Sequence, residues 1–282
     1  MIKKIAFIGV GNMANAILAG ITSRSDAPTQ WEDIILFNKH PEKLGHYKEK
    51  GAYLASSLED AVLRADCVML CVKPQTFGEI LPEISGIQGI ENKLFVSIAA
   101  GISTDTVSNY TNGAPVVRVM PNTPMLIGSG VSAICRSKSV SDSDFEFACK
   151  VFSSAGEVIK IQEEEMNRII CVTGSSPAYV FMIIKAIYEG AVEQGLLKTE
   201  DSNTGLTSKE LIDSICNVLI GSALLMKSGT KTPDEQIQTV CSKGGTTERA
   251  IAALQEHGLY EAFADAMRRC TARAEELGSN KK

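Results

Sequence analysis

Short apolar runs separated by stretches of helical character fill the first half of the chain. The unbroken apolarity of residues 66–72 predicts a strand covered on both faces, as in a parallel sheet. Because such runs alternate with helical stretches, we predict an α/β fold with a mostly parallel, doubly wound sheet. The predicted strands lie at residues 5–8, 34–38, 52–54, 66–72, 94–98, 116–120, 130–135 and 156–160.

The pattern changes after about residue 163, beyond which we predict no strand. The helices there are apolar over more than one stripe, which is typical of helices that bury against a partner chain. We expect a break at Gly174-Ser175-Ser176-Pro177, where Ser176 caps a new helix and Pro177 suits its first turn. Residues 1–163 are predicted to form one domain and residues 164–282 an all-helical, dimer-forming domain, with helices at 164–172, 177–194, 209–227, 246–256 and 259–277.

A glycine motif joins the first predicted strand to the helix that follows it. Gly9 ends the strand in a tight turn, Gly11 lets a pyrophosphate approach the backbone, and Ala14 allows the helix to pack closely on the strand. The helix N-terminus would offer unpaired N–H groups and a positive dipole end to the phosphates. We therefore predict a Rossmann-type dinucleotide site; the alternative is a tight strand-to-helix turn without a nucleotide.

Composition and charge limit the function classes. A chain of 282 residues, 44% of them hydrophobic, is long enough for two cores, and a net charge of −5 argues against a nucleic-acid partner. No apolar run reaches the roughly 18 residues of a membrane helix, and the first run is assigned to a strand rather than to a signal peptide. The eight cysteines are scattered without a Cys-x-x-Cys pair, so we expect free thiols in a reducing cytoplasm and no metal site.

The tip of the second predicted strand indicates which dinucleotide is bound. Enzymes selective for NAD usually carry Asp or Glu there to bind the ribose hydroxyls, whereas this chain has Asn38 and Lys39. No carboxylate repels a 2′-phosphate and one ammonium attracts it, so NADPH is favoured by a contact of about 1.5–3 kcal/mol. The alternative is that Lys39 is a solvated surface lysine.

Further strand tips face the same edge of the predicted sheet, where ligands of open α/β sheets bind. Lys73 and Pro74 follow the fourth strand. The small residues Ala99 and Ala100, after the fifth, either leave room for a flat nicotinamide or form only a tight turn. Pro121-Asn122-Thr123-Pro124, after the sixth, is a rigid turn carrying one amide and one hydroxyl.

A cluster of glycines and hydroxyls, Ser242-Lys243-Gly244-Gly245-Thr246-Thr247, precedes a predicted helix in the second half. Glycine frees the backbone to turn its N–H groups inward, and the helix N-terminus adds partial positive charge. A small carboxylate would be well held there. The alternative is a loop with an N-cap and no ligand.

Together these motifs resemble those of the pyrroline-5-carboxylate reductase family over nearly the whole chain. The glycine turn occurs in many dehydrogenases, whereas the last three motifs, in this order and spacing, are highly specific. The resemblance rests on Phe7-Ile8-Gly9-Val10-Gly11-Asn12-Met13-Ala14, Val72-Lys73-Pro74-Gln75, Ser97-Ile98-Ala99-Ala100-Gly101, Arg118-Val119-Met120-Pro121-Asn122-Thr123-Pro124, Gly174-Ser175-Ser176-Pro177-Ala178-Tyr179 and the Ser242 to Thr247 cluster.

The resemblance implies an NAD(P)H-dependent cytoplasmic enzyme that reduces the C=N bond of 1-pyrroline-5-carboxylate to L-proline, the last step of proline biosynthesis. It implies a Rossmann domain and a helical domain that intertwines with a partner into a homodimer, often within a larger ring. Ser242, Gly244, Gly245 and Thr246 would bind the substrate carboxylate, and Thr247 would hydrogen-bond the ring nitrogen as the catalytic residue. NADPH, or NADH, would contact Ile8, Gly9, Val10, Gly11, Asn12, Met13, Asn38, Lys39, Cys71, Val72, Lys73, Pro74, Ala99 and Ala100.

Two positions depart from the family pattern, Lys243 where Pro is usual and Ser176 where Gly is usual, but neither removes a group that the chemistry needs.

Two rival functions remain. A hydroxy-acid dehydrogenase needs a proton-transferring His or Lys, for which Lys185 is the one candidate, and a non-catalytic NADP sensor would consume no cofactor. None of the three histidines lies in a motif, which fits a basic imine that takes its proton from water.

Overall fold

The structure, a computed structural model, describes residues 3–22, 29–198 and 204–279. Its first half is built on one sheet of eight strands, each at a place where the apolar pattern predicts one. The strands are β1 (Ile5–Ile8), β2 (Ile34–Phe37), β3 (Tyr53–Leu54), β4 (Cys67–Leu70), β5 (Leu94–Ser97), β6 (Val116–Met120), β7 (Gly130–Arg136) and β8 (Gly156–Lys160).

The strand order is β3-β2-β1-β4-β5-β6-β7-β8. The pairs from β3 through β6 are parallel, β6 and β7 are antiparallel, and β7 and β8 are parallel to each other. The sheet is therefore mostly parallel and doubly wound, as predicted. The strand order reverses between β1 and β4, which is the point of an open α/β sheet where ligands bind.

Helices cover the sheet and make up most of the described residues that follow it. Among the described residues after Lys160, the β structure is a single bridge between Leu197 and Leu206, so the prediction of a helical second half is confirmed. The helices are α1 (Asn12–Thr22), α2 (Gly45–Lys48), α3 (Leu58–Arg64), α4 (Phe77–Ser85), α5 (Thr104–Tyr110), α6 (Asp142–Ser153), α7 (Met166–Ile169), α8 (Ser176–Glu193), α9 (Ser208–Ser228), α10 (Pro233–Val240), α11 (Thr246–Glu256) and α12 (Leu259–Ser279).

Two apolar cores lie on opposite faces of the sheet. Successive side chains of a strand point to opposite faces, and β1 shows this directly: Ile5 and Phe7 belong to one core, Ala6 and Ile8 to the other. A smaller third cluster forms where Met166 of α7 packs over β7. The continuous burial of β1 explains why its sequence is an unbroken apolar run rather than an alternating one.

The helix break expected at Gly174-Ser175-Ser176-Pro177 takes a different form from the prediction. A π-helical turn, Ile170–Gly174, joins α7 directly to α8, with a hydrogen bond of 2.8 Å from the Ser175 N–H to the Ile170 carbonyl. Ser176 does not cap a new helix; its hydroxyl donates backwards to the carbonyls of Cys171 and Val172. The Ser176 hydroxyl therefore bonds to two carbonyls of the π-helical turn and does not cap the N–H groups of α8.

The chain divides into two compact units. The described residues of Met1–Pro177 and of Met267–Lys282 form the first unit, and the described residues of Ala178–Ala266 form the second. The first unit thus contains the sheet together with the C-terminal part of α12. The functional boundary predicted at residue 163 stays a prediction.

Candidate active site

The turn after β1 requires glycine at its first position. Gly9 has φ +88°, a conformation that L side chains rarely adopt, and a Cβ there would lie 2.7 Å from the Val72 Cγ1 atom. The Gly9 N–H donates to the Phe37 carbonyl at 2.8 Å. Gly9 therefore ties the tips of β1, β2 and the segment after β4 together at the reversal point of the sheet.

Gly11 has a different environment from Gly9. A Cβ built on Gly11 would meet no atom within 4 Å, so its backbone is open to solvent at the start of α1. Ala14, one turn further on, is 1% exposed and packs in the core below. An anion can therefore approach the backbone and the first-turn N–H groups of α1 closely, which is the geometry that a dinucleotide pyrophosphate needs.

A cleft of about 710 Å³ extends from this turn across the tips of β1, β2 and β4. It brings together nine of the predicted cofactor residues: Ile8, Gly9, Val10, Gly11, Asn38, Lys39, Cys71, Val72 and Lys73. The other five are not part of its lining. Asn12 and Met13 begin α1, Pro74 begins the short 3₁₀ turn Pro74–Thr76, and Ala99 and Ala100 follow β5.

The cleft carries positive charge beside the β2 tip. Lys39 and Lys43 line it together with Lys73, whereas its carboxylates, Glu79 and Glu83, come from α4. The β2 tip itself presents the Asn38 amide, so it holds no group that would repel a 2′-phosphate. This arrangement fits the predicted preference for NADPH.

Sequence reasoning missed two side chains of this cleft. Lys43 also lines it, and its position four residues after Lys39 in one polar stretch was an available signal. His40 lines the cleft as well; its imidazole is 62% exposed and lies 3.5 Å from the Glu42 carboxylate. Desolvation raises the pKa of the Cys71 thiol, so this group stays uncharged at neutral pH.

The predicted substrate loop lies in the second unit. Gly244 has φ +73°, and the Gly245 N–H donates to the Ser242 carbonyl at 2.9 Å. Gly245 is the N-cap of α11 and makes no side-chain cap hydrogen bond. The first turn of α11 therefore presents N–H groups that no capping side chain occupies, as the carboxylate-binding prediction requires.

Glu248, in the first turn of α11, was not predicted as part of this loop. Its carboxylate accepts a hydrogen bond of 2.5 Å from the Gly244 N–H, so one of the predicted backbone donors is already engaged. Thr247 is half-buried and lines a mostly apolar pocket of about 390 Å³ with Ile237 and Ile251, while Ser242 and Thr246 are exposed.

Lys185, the one candidate for a dehydrogenase proton donor, has a surface position. Its side chain is 71% exposed, and its ammonium lies 3.6 Å from the Glu189 carboxylate one turn along α8. Lys185 and Glu189 thus form an ordinary ion pair on the exposed face of the helix. Among the described residues, no three His, Cys, Asp or Glu side chains are placed to hold a metal ion.

A doubly wound sheet with a glycine turn at its reversal point and a basic cleft above it defines a dinucleotide-dependent oxidoreductase. Comparison with known families agrees. A family described as "Pyrroline-5-carboxylate reductase dimerisation" matches residues 163–277, and one described as "NADP oxidoreductase coenzyme F420-dependent" matches residues 4–101.

Similar proteins cover the whole chain. A pyrroline-5-carboxylate reductase of Corynebacterium melassecola is 34% identical over 98% of this chain and 99% of its own length. The Escherichia coli K12 protein of that name is 32% identical over 99% and 100%. The chain belongs to the pyrroline-5-carboxylate reductase family.

Solved structures share the fold. A pyrroline-5-carboxylate reductase of Coxiella burnetii has a TM-score of 0.83 at 30% identity, covering 98% of this chain and 99% of that one. An NADP-bound pyrroline carboxylate reductase of Plasmodium falciparum has a TM-score of 0.85 at 23% identity, covering 98% of both chains. The predicted fold class, α/β Rossmann-type followed by a helical domain, is confirmed.

Proposed function

We propose that this chain reduces the C=N bond of 1-pyrroline-5-carboxylate to give L-proline, with NADPH as the hydride donor. The observation that carries the proposal is full-length similarity to this family in a chain that keeps both the open glycine turn and the Ser242–Thr247 loop. Residues 1–163 would serve cofactor binding, and residues 164–282 substrate binding and dimerisation.

The residues of the cleft fit NADPH. Gly11 leaves the backbone at the start of α1 open, and the N–H groups of that first turn would bind the pyrophosphate. Lys39, with Lys43 beside it, would bind the 2′-phosphate next to Asn38. When bound, NADPH supplies the hydride for the C=N carbon. The chain's remaining task is to orient and desolvate the imine.

The imine needs positioning more than a strong acid. A cyclic imine is basic enough to take its proton from water, so correct placement and electrostatics supply most of the acceleration. Thr247 would hydrogen-bond the ring nitrogen. Because Glu248 engages the Gly244 N–H, the substrate carboxylate would bind the hydroxyls of Ser242 and Thr246 and the remaining N–H groups of the first turn of α11.

The experiment is steady-state oxidation of NADPH with pyrroline-5-carboxylate and a panel of keto acids. We expect turnover with the imine, and Thr247→Ala to lower it by about 10- to 1000-fold, the range of one positioned polar contact. Thr239→Ala is the control, because its hydroxyl bonds to a carbonyl of its own helix at 3.0 Å. Turnover of keto acids alone would identify a hydroxy-acid dehydrogenase, and binding of NADPH without turnover would identify a sensor.

The described helices of the second half carry exposed apolar side chains, including Phe181 (65% exposed) and Met182 (70%). Contrary to the sequence-based expectation that no run is long enough, two stretches, Glu163–Glu193 and Ser208–Ser228, pass the length and composition criteria for crossing a membrane. A second copy of the chain would cover these surfaces, because residues 163–277 match a dimerisation family. The proposed assembly is a homodimer, able to build a larger ring, in the cytoplasm and not in a membrane.

A further inference from the structure

One face of β6 carries side chains that the proposed mechanism does not use. Arg118, Met120 and Asn122 alternate with the core residues Val117 and Val119, so they share the opposite face of the strand and of the turn that follows it. Arg118 is 4% exposed and Asn122 is 7% exposed. Buried polar side chains of this kind require partners.

Asn122 supplies a hydrogen bond that the helix itself cannot make. In an α-helix the Thr173 carbonyl would accept from the N–H of residue 177, but residue 177 is proline and has none. The Asn122 Nδ2 atom donates to this carbonyl at 3.0 Å. Asn122 of the motif Pro121-Asn122-Thr123-Pro124 therefore bonds to the residue that directly precedes the motif Gly174-Ser175-Ser176-Pro177.

The other end of the same amide is also fixed. The Asn122 Oδ1 atom accepts from the Val131 N–H of β7 at 2.8 Å. A backbone donor on one side and a backbone carbonyl on the other leave a single orientation of the amide that satisfies both. Asn122 is thus a rigid bridge between the sheet and the π-helical turn Ile170–Gly174.

Neighbouring contacts hold the same segment against β6. The Arg118 guanidinium donates to Glu163 and to Asn167, at 2.8 Å in each case. A Cβ on Gly174 would lie 3.1 Å from the Met120 Cε atom, so the π-helical turn packs directly on this strand. Arg118 fixes the start of the segment, and Asn122 fixes its end.

The Asn122 bridge lies at the edge of the sheet that is formed by the carboxyl ends of the parallel strands. The parallel strands β1, β4, β5 and β6 all direct their carboxyl ends to this edge. If Asn38 and Lys39 at β2 bind the adenosine half, the other half of a dinucleotide would bind on the β4–β6 side of the reversal point. The turn that Asn122 holds would therefore lie at the nicotinamide end.

We infer that Asn122 is a positioning residue for hydride transfer: it holds the π-helical turn 170–174 at the nicotinamide end by replacing the hydrogen bond that Pro177 removes. The inference rests on the proposed function. Asn122 touches neither substrate nor cofactor in this role and acts only through the turn.

The test compares Asn122→Asp, which keeps the shape of the side chain but turns the donor into an acceptor, with Asn109→Ala, an exposed asparagine of α5. We expect Asn122→Asp to lower kcat by about 10- to 100-fold, the effect of a small misplacement, with the KM for the imine and the Kd of NADPH little changed. With NADPH deuterated at the transferred position, the kinetic isotope effect on kcat should rise, because hydride transfer becomes rate-limiting.

A second variant pair separates this role from a loss of folding. Pro177→Ala restores an N–H at residue 177, which satisfies the Thr173 carbonyl within the helix but does not join the turn to the sheet. Adding Pro177→Ala to Asn122→Ala should therefore recover stability and leave kcat low, and full recovery of kcat would overturn the positioning role. An unchanged isotope effect in Asn122→Asp, with kcat falling only as the folded fraction falls, would overturn the inference, as would wild-type kcat. Wild-type protein that oxidises no NADPH with the imine would instead overturn the proposed function and the inference with it.

Discussion

Gly9 and Gly11 lie two residues apart in one turn, yet alanine should affect them in different ways. Gly9→Ala places a methyl group 2.7 Å from Val72 Cγ1 and 3.2 Å from the Val72 nitrogen, at φ +88°. The left-handed conformation costs about 1–2 kcal/mol for an L residue, and overpacking costs about 1–3 kcal/mol. We expect a loss of about 2–5 kcal/mol, a large part of the 5–15 kcal/mol typical of a folded protein.

Gly11→Ala should leave stability almost unchanged. Its added methyl group meets no atom within 4 Å, so the free energy of unfolding should shift by no more than about 0.5 kcal/mol. The same methyl group occupies the space that the pyrophosphate needs. Losing charge-assisted hydrogen bonds worth about 1.5–3 kcal/mol raises the Kd of NADPH by roughly 10- to 150-fold.

Two measurements on each variant test this contrast. Urea unfolding without cofactor gives the free energy of unfolding, and titration of NADPH fluorescence gives the Kd. The reasoning is refuted if Gly11→Ala binds NADPH as tightly as the wild type, or if it is destabilised as much as Gly9→Ala.

Further predictions concern charge. Lys39→Ala should raise the Kd of NADPH by about 10-fold or more and leave that of NADH nearly unchanged; equal effects on both would contradict the 2′-phosphate contact. Glu248→Gln keeps an acceptor for the Gly244 N–H but removes a negative charge, so the KM for the imino acid should fall by up to about 5-fold, and a higher KM would count against this site. Hydrogen bonds from Arg64 and from the Ser56 N–H lower the pKa of Asp60 from 3.8 to about 2. The stability that this ion pair contributes is present above pH 3.8 and is lost as the pH falls towards 2. The Tm of Asp60→Asn should therefore fall less steeply than that of the wild type over this range. Parallel plots of Tm against pH for the two proteins would refute the low pKa of Asp60.

The sequence predicts the centre of the sheet well because β1, β4 and β5 are buried on both faces and are therefore continuous runs of mostly apolar residues. The glycine turn is equally clear, because the positive φ of residue 9 and the close approach of Val72 both require glycine there. The fold class, the family and the NADP-dependent reductase activity follow from such local patterns. In contrast, α4 was not predicted, because Pro82 lies inside it and obscures the helical pattern.

The sequence shows less about contacts between distant segments. The bond from Asn122 to the Thr173 carbonyl joins residues 51 positions apart, and no periodicity indicates it. The π-helical turn is missed for a related reason: Pro177 normally starts or ends a helix, and here a side chain of the sheet compensates for it. The roles of the substrate-loop residues remain predictions, because they depend on a bound carboxylate.

The C-terminal part of α12 has a further consequence for how this protein folds during synthesis. A Cβ on Gly278 of α12 would lie 2.8 Å from the Gly101 carbonyl oxygen, in the turn after β5, and Ala274 is 4% exposed. The first unit is therefore completed by residues that follow the whole second unit in the chain. Until this part of α12 has been synthesised, the turn after β5 stays uncovered, so we expect a nascent chain that stops before residue 267 to bind NADPH more weakly than one that includes α12.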